Sequence, residues 1–281
     1  MTLAKLADVL PPANREGRAV AGLVCLGWED ACAYAAAAEE VGQPVILQAG
    51  PGARAHMPLA VWGPMLRHLA ERASVPVVVH LDHGKTLDEC REALAAGFTS
   101  IMFDGSRLPF AENVARTREA VVLAREAGVS CEGEIGFVGY GGAEVKAEIS
   151  APTNADEAAR FAAETGVDAM AVSVGNVHLQ TESMAQIDYG TLRAIEAATG
   201  VPLVIHGASG ISTDDRRRLA SEHRVAKFNV GTELRQVFGH ALRQGLAAHP
   251  ERFDRIDILR ETMVPLRAEA ARIIGELAGL R

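Results

Sequence analysis

Asp82 and His83 follow the apolar run VPVVVHL (Val75 to Leu81), and Gly84 comes next. A β-branched run of this kind reads as a parallel strand buried on both faces. An acid and an imidazole at its carboxyl end are a proton carrier and a metal ligand where α/β barrels gather their chemistry. His80 alternates with Asp82 and shares its face, while His83 is expected just past the strand, where the chain turns. One strand-end histidine is ordinarily a core residue with its hydrogen bonds satisfied. Here the arrangement recurs, because His178 follows AMAVSVGNV and His206 closes VPLVI. Three imidazoles gathered from three strands can hold one metal ion and leave a coordination position open, the pattern of a catalytic site.

Other strand ends carry polar groups as well. Asp104, Gly105 and Ser106 follow a fourth apolar run, and Glu132 and Glu134 alternate on one face of a fifth. The turns Gly207-Ala208-Ser209-Gly210 and Asn229-Val230-Gly231-Thr232 end the last two runs and lead into helices. Small residues let a ligand approach the backbone, and loops after strands seven and eight of a barrel commonly hold phosphate on N–H groups and a helix N-terminus. Either turn alone reads equally well as a tight corner. Together, beside a metal site, they read as a phosphate cradle.

The elements that must position these residues repeat one unit, a short apolar strand followed by an amphipathic helix. Strands are expected at Val20 to Leu26, Pro44 to Ala49, Val75 to Asp82, Ser100 to Asp104, Val129 to Ile135, Ala169 to Val174, Pro202 to His206 and Val225 to Val230. Helices are expected at Asp30 to Val41, Leu87 to Ala96, Ala111 to Ala127 and Ala155 to Thr165. Gly128, Gly166 and Gly200 stand where a left-handed residue ends a helix before the next strand. Eight such units without a Pro/Ser-rich linker predict a (β/α)8 TIM barrel, one domain over residues 1–281. A doubly wound open sheet is the alternative, but no G-x-G-x-x-G follows the first strand. The stretch Phe253 to Leu280 adds a C-terminal helical segment able to pack against a partner subunit.

Composition narrows the function classes. The formal charge of -8 argues against nucleic acid as a partner, since phosphate backbones call for clustered Lys and Arg. Arg216-Arg217-Arg218, after Asp214 and Asp215, reads as a solvated helix face. No apolar run approaches a membrane span, and the N-terminus lacks a signal-peptide core. Cys25, Cys32, Cys90 and Cys131 show no CxxC spacing and read as reduced thiols, which points to the cytoplasm.

HLDHG, GFTSIMFDGSRLPFAEN, VSCEGEIG, VIHGASG and KFNVGTEL, in that order, resemble the class II, metal-dependent fructose- or tagatose-bisphosphate aldolases. The resemblance runs from about Val20 to Leu246. It implies a homodimeric or homotetrameric barrel that binds Zn²⁺, often with a monovalent cation (Na⁺ or K⁺), and cleaves a phosphorylated sugar reversibly. Carried over by motif, His83, His178 and His206 match zinc ligands, and Asp82 matches the catalytic acid. Glu134 matches a glutamate kept near the metal, a second or alternate metal position. Gly207, Ser209, Asn229 and Thr232 match the turns that bind the phosphate of dihydroxyacetone phosphate. The implied chemistry is a Lewis-acid metal stabilising an enediolate, with Asp82 moving a proton at the carbon that becomes the aldehyde.

Several positions depart from that pattern. Val24 stands where the first strand usually has Asn, Leu179 where a Gly follows the zinc ligand, and Arg107 where DGSHLPF has His. The loop that normally supplies a proton-transfer glutamate reads FVGYGGAEVKAE, with Gly142 in its place and Glu144 or Glu148 nearby. Ser106, Arg107 and Glu144 are therefore candidate substrate contacts, Arg107 through a guanidinium suited to an anionic acceptor. Lys227 on the eighth strand is read as structural or outer-shell, with Schiff-base chemistry left open. Two other classes stand beside the aldolase, a zinc-dependent hydrolase on the same barrel and a catalytically inactive sugar-phosphate-binding homologue.

Overall fold

The computed structural model describes residues 2–139, 149–180 and 185–280. Eight parallel strands close into a barrel: β2 (Val20–Val24), β3 (Val45–Ala49), β4 (Val77–Gly84), β5 (Ser100–Phe103), β6 (Ser130–Ile135), β7 (Ala169–Val172), β8 (Leu203–Ile205) and β9 (Val225–Val230). Each pairs with the next, and β9 returns to β2. They match the sequence expectation to within two residues at each end. Around them lie α2 (Trp28–Val41), α3 (Pro51–His56), α4 (Leu59–Arg72), α5 (Leu87–Ala95), α6 (Phe110–Glu126), α7 (Ala155–Thr165), α8 (Tyr189–Ala198), α9 (Thr213–Glu222) and α10 (Thr232–Ala248).

The first residues form a floor that the sequence reading missed. β1 (Leu3–Ala4) pairs with Val77 and Val78, ahead of the point where β4 meets β5. Helix α1 (Leu6–Arg15) then buries Leu6, Val9, Leu10 and Ala13, an i, i+3, i+4, i+7 stripe. That stripe packs on inward residues of the strands, among them Val20, Ile46, Val78, Ala171 and Val204. Pro11 and Pro12 lie inside this helix and remove two amide donors, so tertiary burial holds it. A larger apolar cluster fills the space between the barrel wall and the outer helices.

The C-terminal segment forms α11 (Arg255–Leu277), and its apolar face is used within the chain. Leu266, Ala270, Ile273, Ile274 and Leu277 are buried, and the helix lies along α2 and α10. Phe253 just before it, and Ile256 and Val264 in its first half, stay exposed. Two local expectations need correction. Gly128 and Gly166 are left-handed, at φ 71° and 69°, but Gly200 is not, because α8 ends through an extended Thr199 instead. Arg216 is also no surface residue: it is buried between α9, α10 and α11, while Arg217 and Arg218 are exposed. Among the described residues, no helix is long and apolar enough to cross a membrane.

Candidate active site and metal centre

His83 is not past the strand, as alternation suggested, but within it. The β4–β5 register shifts between Leu81 and Gly84, so Asp82 and His83 together face Met102 of β5. Such a bulge turns two consecutive side chains toward one side. His83 adopts φ 50°, a left-handed conformation that is strained for a side chain with a Cβ. Arg54 of α3 holds this bend, its guanidinium donating to the carbonyls of Asp82 (2.6 Å) and His83 (3.0 Å). The backbone strain is thus restrained by a residue that sequence spacing did not single out.

The three histidines meet at the barrel mouth. Ring centroids are 4.6 Å apart for His83 and His206, 5.1 Å for His83 and His178, and 5.6 Å for His178 and His206. One nitrogen from each falls within 4.8 Å of the other two. A second group, His83, Asp104 and Glu134, satisfies the same distance. His83 Nδ1 is 2.7 Å from Asp104 Oδ2; if that nitrogen carries the proton, the Nε2 lone pair is left for a cation. His206 Nε2 lies 3.1 Å from Glu132 Oε1, which leaves Nδ1 as the nitrogen able to meet a cation. His206 Nδ1 and Glu134 Oε2 are buried without hydrogen-bond partners and lie 3.5 Å apart. Orphaned donor atoms of this kind, beside two more imidazoles, fit a divalent cation with nitrogen ligands.

Charge is organised around the same point. Burial opposes the His83 imidazolium, but Asp82, Asp104 and Glu134 outweigh it and raise its pKa to about 9. Burial, then Asp104, pushes the Glu134 carboxyl up to about 8. Asp82 stays below the usual carboxylate range; burial would raise it, but His83, His206 and Lys227 pull it down. The same negative surroundings that favour a proton on His83 would favour a cation there, and Asp82 is held in its ionised form.

Deeper in the barrel, Lys227 Nζ donates to Glu132 Oε2 at 2.6 Å and lies 3.3 Å from His80 Nε2. All three side chains are fully buried. A register shift between β8 and β9, with Leu203 opposite Val225 and Val204 opposite Lys227, turns this lysine inward. Its amine is thus paired with Glu132, which suits an outer-shell role.

The phosphate-type turns border the same cavity of about 280 Å³. Gly207, Ser209, Asn229 and Thr232 line it with Asp82, His83, His178, Val24 and Leu179. Asn229 Nδ2 donates to Asp82 Oδ1 at 3.0 Å. Gly207 is left-handed (φ 66°), and a Cβ there would lie 2.2 Å from the Val177 carbonyl oxygen. Leu179 holds φ 57°, so it keeps a backbone conformation that favours glycine.

Other sequence candidates lie elsewhere. Arg107 stacks on the Phe137 ring, 4.2 Å from its centroid, and Ser106 bonds to Asp104 Oδ1 at 2.6 Å; neither lines the histidine cavity. Gly142, Glu144 and Glu148 lie outside the described residues. Asp104 and Glu132 are polar strand-end groups in the sequence, but their pairing with His83 and Lys227, and the parts of Lys85 and Arg54, emerge only from the structure. Their partners come from other strands, which spacing along the chain does not reveal.

The fold is a (β/α)8 barrel that gathers three histidines at its mouth, an arrangement that could hold a metal ion. The model of the family "Fructose-bisphosphate aldolase class-II" matches residues 4–279. A probable fructose-bisphosphate aldolase of Bacillus subtilis (strain 168) is 37% identical over 257 residues, covering 90% of this chain and 90% of that protein. A 6-phospho-5-dehydro-2-deoxy-D-gluconate aldolase of Shouchella clausii (strain KSM-K16) is 35% identical over 281 residues, covering 98% and 94%. The crystal structure of the YdjI aldolase from Escherichia coli K12 superposes with a TM-score of 0.85 at 30% identity, covering 98% and 97%. The chain belongs to the class II fructose-bisphosphate aldolase family, and it is a metal-dependent aldolase, a carbon–carbon lyase.

Proposed function

We propose that this aldolase uses Zn²⁺ held by His83, His178 and His206 to cleave a ketose phosphate into dihydroxyacetone phosphate, or a similar ketone donor, and an aldehyde. The observation that carries this reading is one cavity bordered by Asp82, by His83 and His178 with His206 buried behind them, and by the two small-residue turns. When bound, the metal supplies a Lewis acid that stabilises negative charge beside the donor carbonyl. Asp82, ionised and oriented by Asn229, takes the proton from the hydroxyl of the carbon that becomes the aldehyde. In condensation it returns that proton to the forming alkoxide. Gly207, Ser209, Asn229 and Thr232 grip the phosphate and so fix the donor's reactive carbon near the metal ligands. Glu134, raised in pKa and 3.5 Å from His206, serves as an alternate metal position. A monovalent cation beside the phosphate belongs to the same reading, which rests there on family resemblance.

A second cavity of about 410 Å³ shares Val24 and Arg235 with the first and adds Leu26, Phe238 and Arg255. We assign the aldehyde half of the substrate to that side, with Arg235 in place of Arg107 as the contact for an acidic group. The relative named for 6-phospho-5-dehydro-2-deoxy-D-gluconate supports a substrate bearing acidic groups. A homodimer or homotetramer is supported by exposed Phe253, just before α11, and Ile256 and Val264 in its first half. A cytoplasmic site of action is supported by Cys25, Cys90 and Cys131, buried and unpaired.

The test is exchange of the hydroxymethyl protons of dihydroxyacetone phosphate in D₂O, followed by NMR with and without a chelator. Chelator-sensitive exchange is expected. A zinc-loaded sample without exchange refutes this donor.

A further inference from the structure

Arg216 lies on the outer side of the phosphate-type turns, and the family reading gives it no task. The residue is only 3% exposed. Nη1 donates to Glu233 Oε2 at 2.9 Å, and Nε lies 3.0 Å from the buried Glu276 Oε1. Arg272 of α11 reaches the same Glu233 and also Glu269 and Glu276. Two guanidinium groups thus face three carboxylates.

Glu233 is the member that touches the candidate site. It is the second residue of α10, directly after Thr232, and its amide donates to Ser209 Oγ at 3.2 Å. A carboxylate in the first turn favours the helix, but it draws on the same N-terminal field that binds an anion. An unneutralised charge there would repel a phosphate held by Ser209 and Thr232. Burying a guanidinium is itself unfavourable unless it is paired. Its neighbours Arg217 and Arg218 are exposed, so Arg216 alone of this basic run is committed to the contact.

We propose that Arg216, backed by Arg272, is a positioning residue that neutralises Glu233 and thereby sets the affinity of the adjoining turns for the donor's phosphate. This rests on the phosphate reading above. The sign follows from the charges. Removing Glu233's charge strengthens phosphate binding, and removing Arg216 weakens it.

Inorganic phosphate is the probe, titrated by calorimetry into wild type, Glu233→Gln, Arg216→Met and the double variant. Glu233→Gln binds about three- to tenfold tighter, and Arg216→Met about tenfold weaker. The double variant returns to within about threefold of wild type, and both shifts shrink at high salt. The KM for unphosphorylated dihydroxyacetone stays unchanged in all four. A folded Glu233→Gln without tighter binding overturns the proposal, and this variant decides even where Arg216→Met fails to fold. Weak binding in Arg216→Met that the double variant does not recover assigns Arg216 a purely structural role. Wild type that does not bind phosphate sinks the phosphate reading and this proposal together; binding in wild type with no shift in the variants sinks this proposal alone.

Discussion

The barrel interior divides into two halves built by opposite rules. Toward the strand amino ends, Val20, Ile46, Val78, Ala171 and Val204 meet the apolar stripe of α1, and the space is filled with hydrocarbon. Toward the carboxyl ends, the next inward positions carry Gln48, His80, Asp82, Glu132, Glu134, His206, Lys227 and Asn229, all buried. Gly22 marks the change of level, since a Cβ there would lie 2.5 Å from Gln48 Oε1 and 2.9 Å from Asn229 Oδ1. Burying this many charges is expensive unless each is paired. The lower half supplies stability and fixes the strands. The upper half spends part of that stability on groups held at defended positions.

Mutations should separate the halves by what they change. The largest effect is expected for His206→Ala: metal content falls, measured by elemental analysis, and turnover drops by at least ~10³-fold. Asp82→Asn comes next, with turnover reduced about 10²- to 10⁴-fold and metal content unchanged. Loss of metal in that variant would mean that Asp82 acts by ligation and not by proton transfer. In the lower half, Leu10→Ala should cost about 2–5 kcal/mol of stability in a urea titration, with activity per folded molecule preserved. A fall in activity of the folded fraction would show that the two halves are not separable.

The upper half should also dominate the pH dependence of stability in metal-free protein. Burial, then Lys227, lowers the His80 pKa to about 3. The unfolded imidazole titrates near 6.5, so between these values the unfolded chain binds a proton that the native state does not. The His80 contribution is therefore full above about pH 6.5 and is lost as pH drops toward 3, on the order of 2 kcal/mol by pH 5. The depressed carboxyls of Asp82, Asp104 and Glu132 add to this loss below about pH 4. The raised His83 and Glu134 contribute with the opposite sign, losing stability as pH rises toward about 9 and about 8 respectively. His80→Asn should flatten the slope of urea midpoint against pH between about 7 and 5; an unchanged slope would place the titration elsewhere. The smallest effect concerns Leu179. Because of its left-handed backbone, Leu179→Gly should be about 1 kcal/mol more stable than Leu179→Ala in thermal unfolding.

The two halves also differed in how far the sequence disclosed them. Strands with two buried faces are continuous β-branched runs, so VPVVVHLDH and VPLVIH announced both the barrel and its chemical ends. The floor is hard to see in the sequence because Pro11 and Pro12 disfavour a helix interior, although Leu6, Val9, Leu10 and Ala13 carry a helical stripe. His83 was misplaced because strict alternation admits no bulge, and the inward turn of Lys227 depends on another. Arg216 read as solvated because a basic run beside two aspartates looks like a surface; its partners Glu233 and Glu276 come from helices later in the chain. What escaped was pairing across elements, which no local pattern encodes.

The central claim is that the histidines of the upper half hold the catalytic metal. Anomalous diffraction at the zinc edge from a zinc-loaded crystal tests it most directly. The account predicts one dominant peak bonded to His83, His178 and His206, with Asp82 beside it and unbonded. A peak that avoids two of these imidazoles, or a fully loaded crystal with none at the barrel mouth, would contradict it.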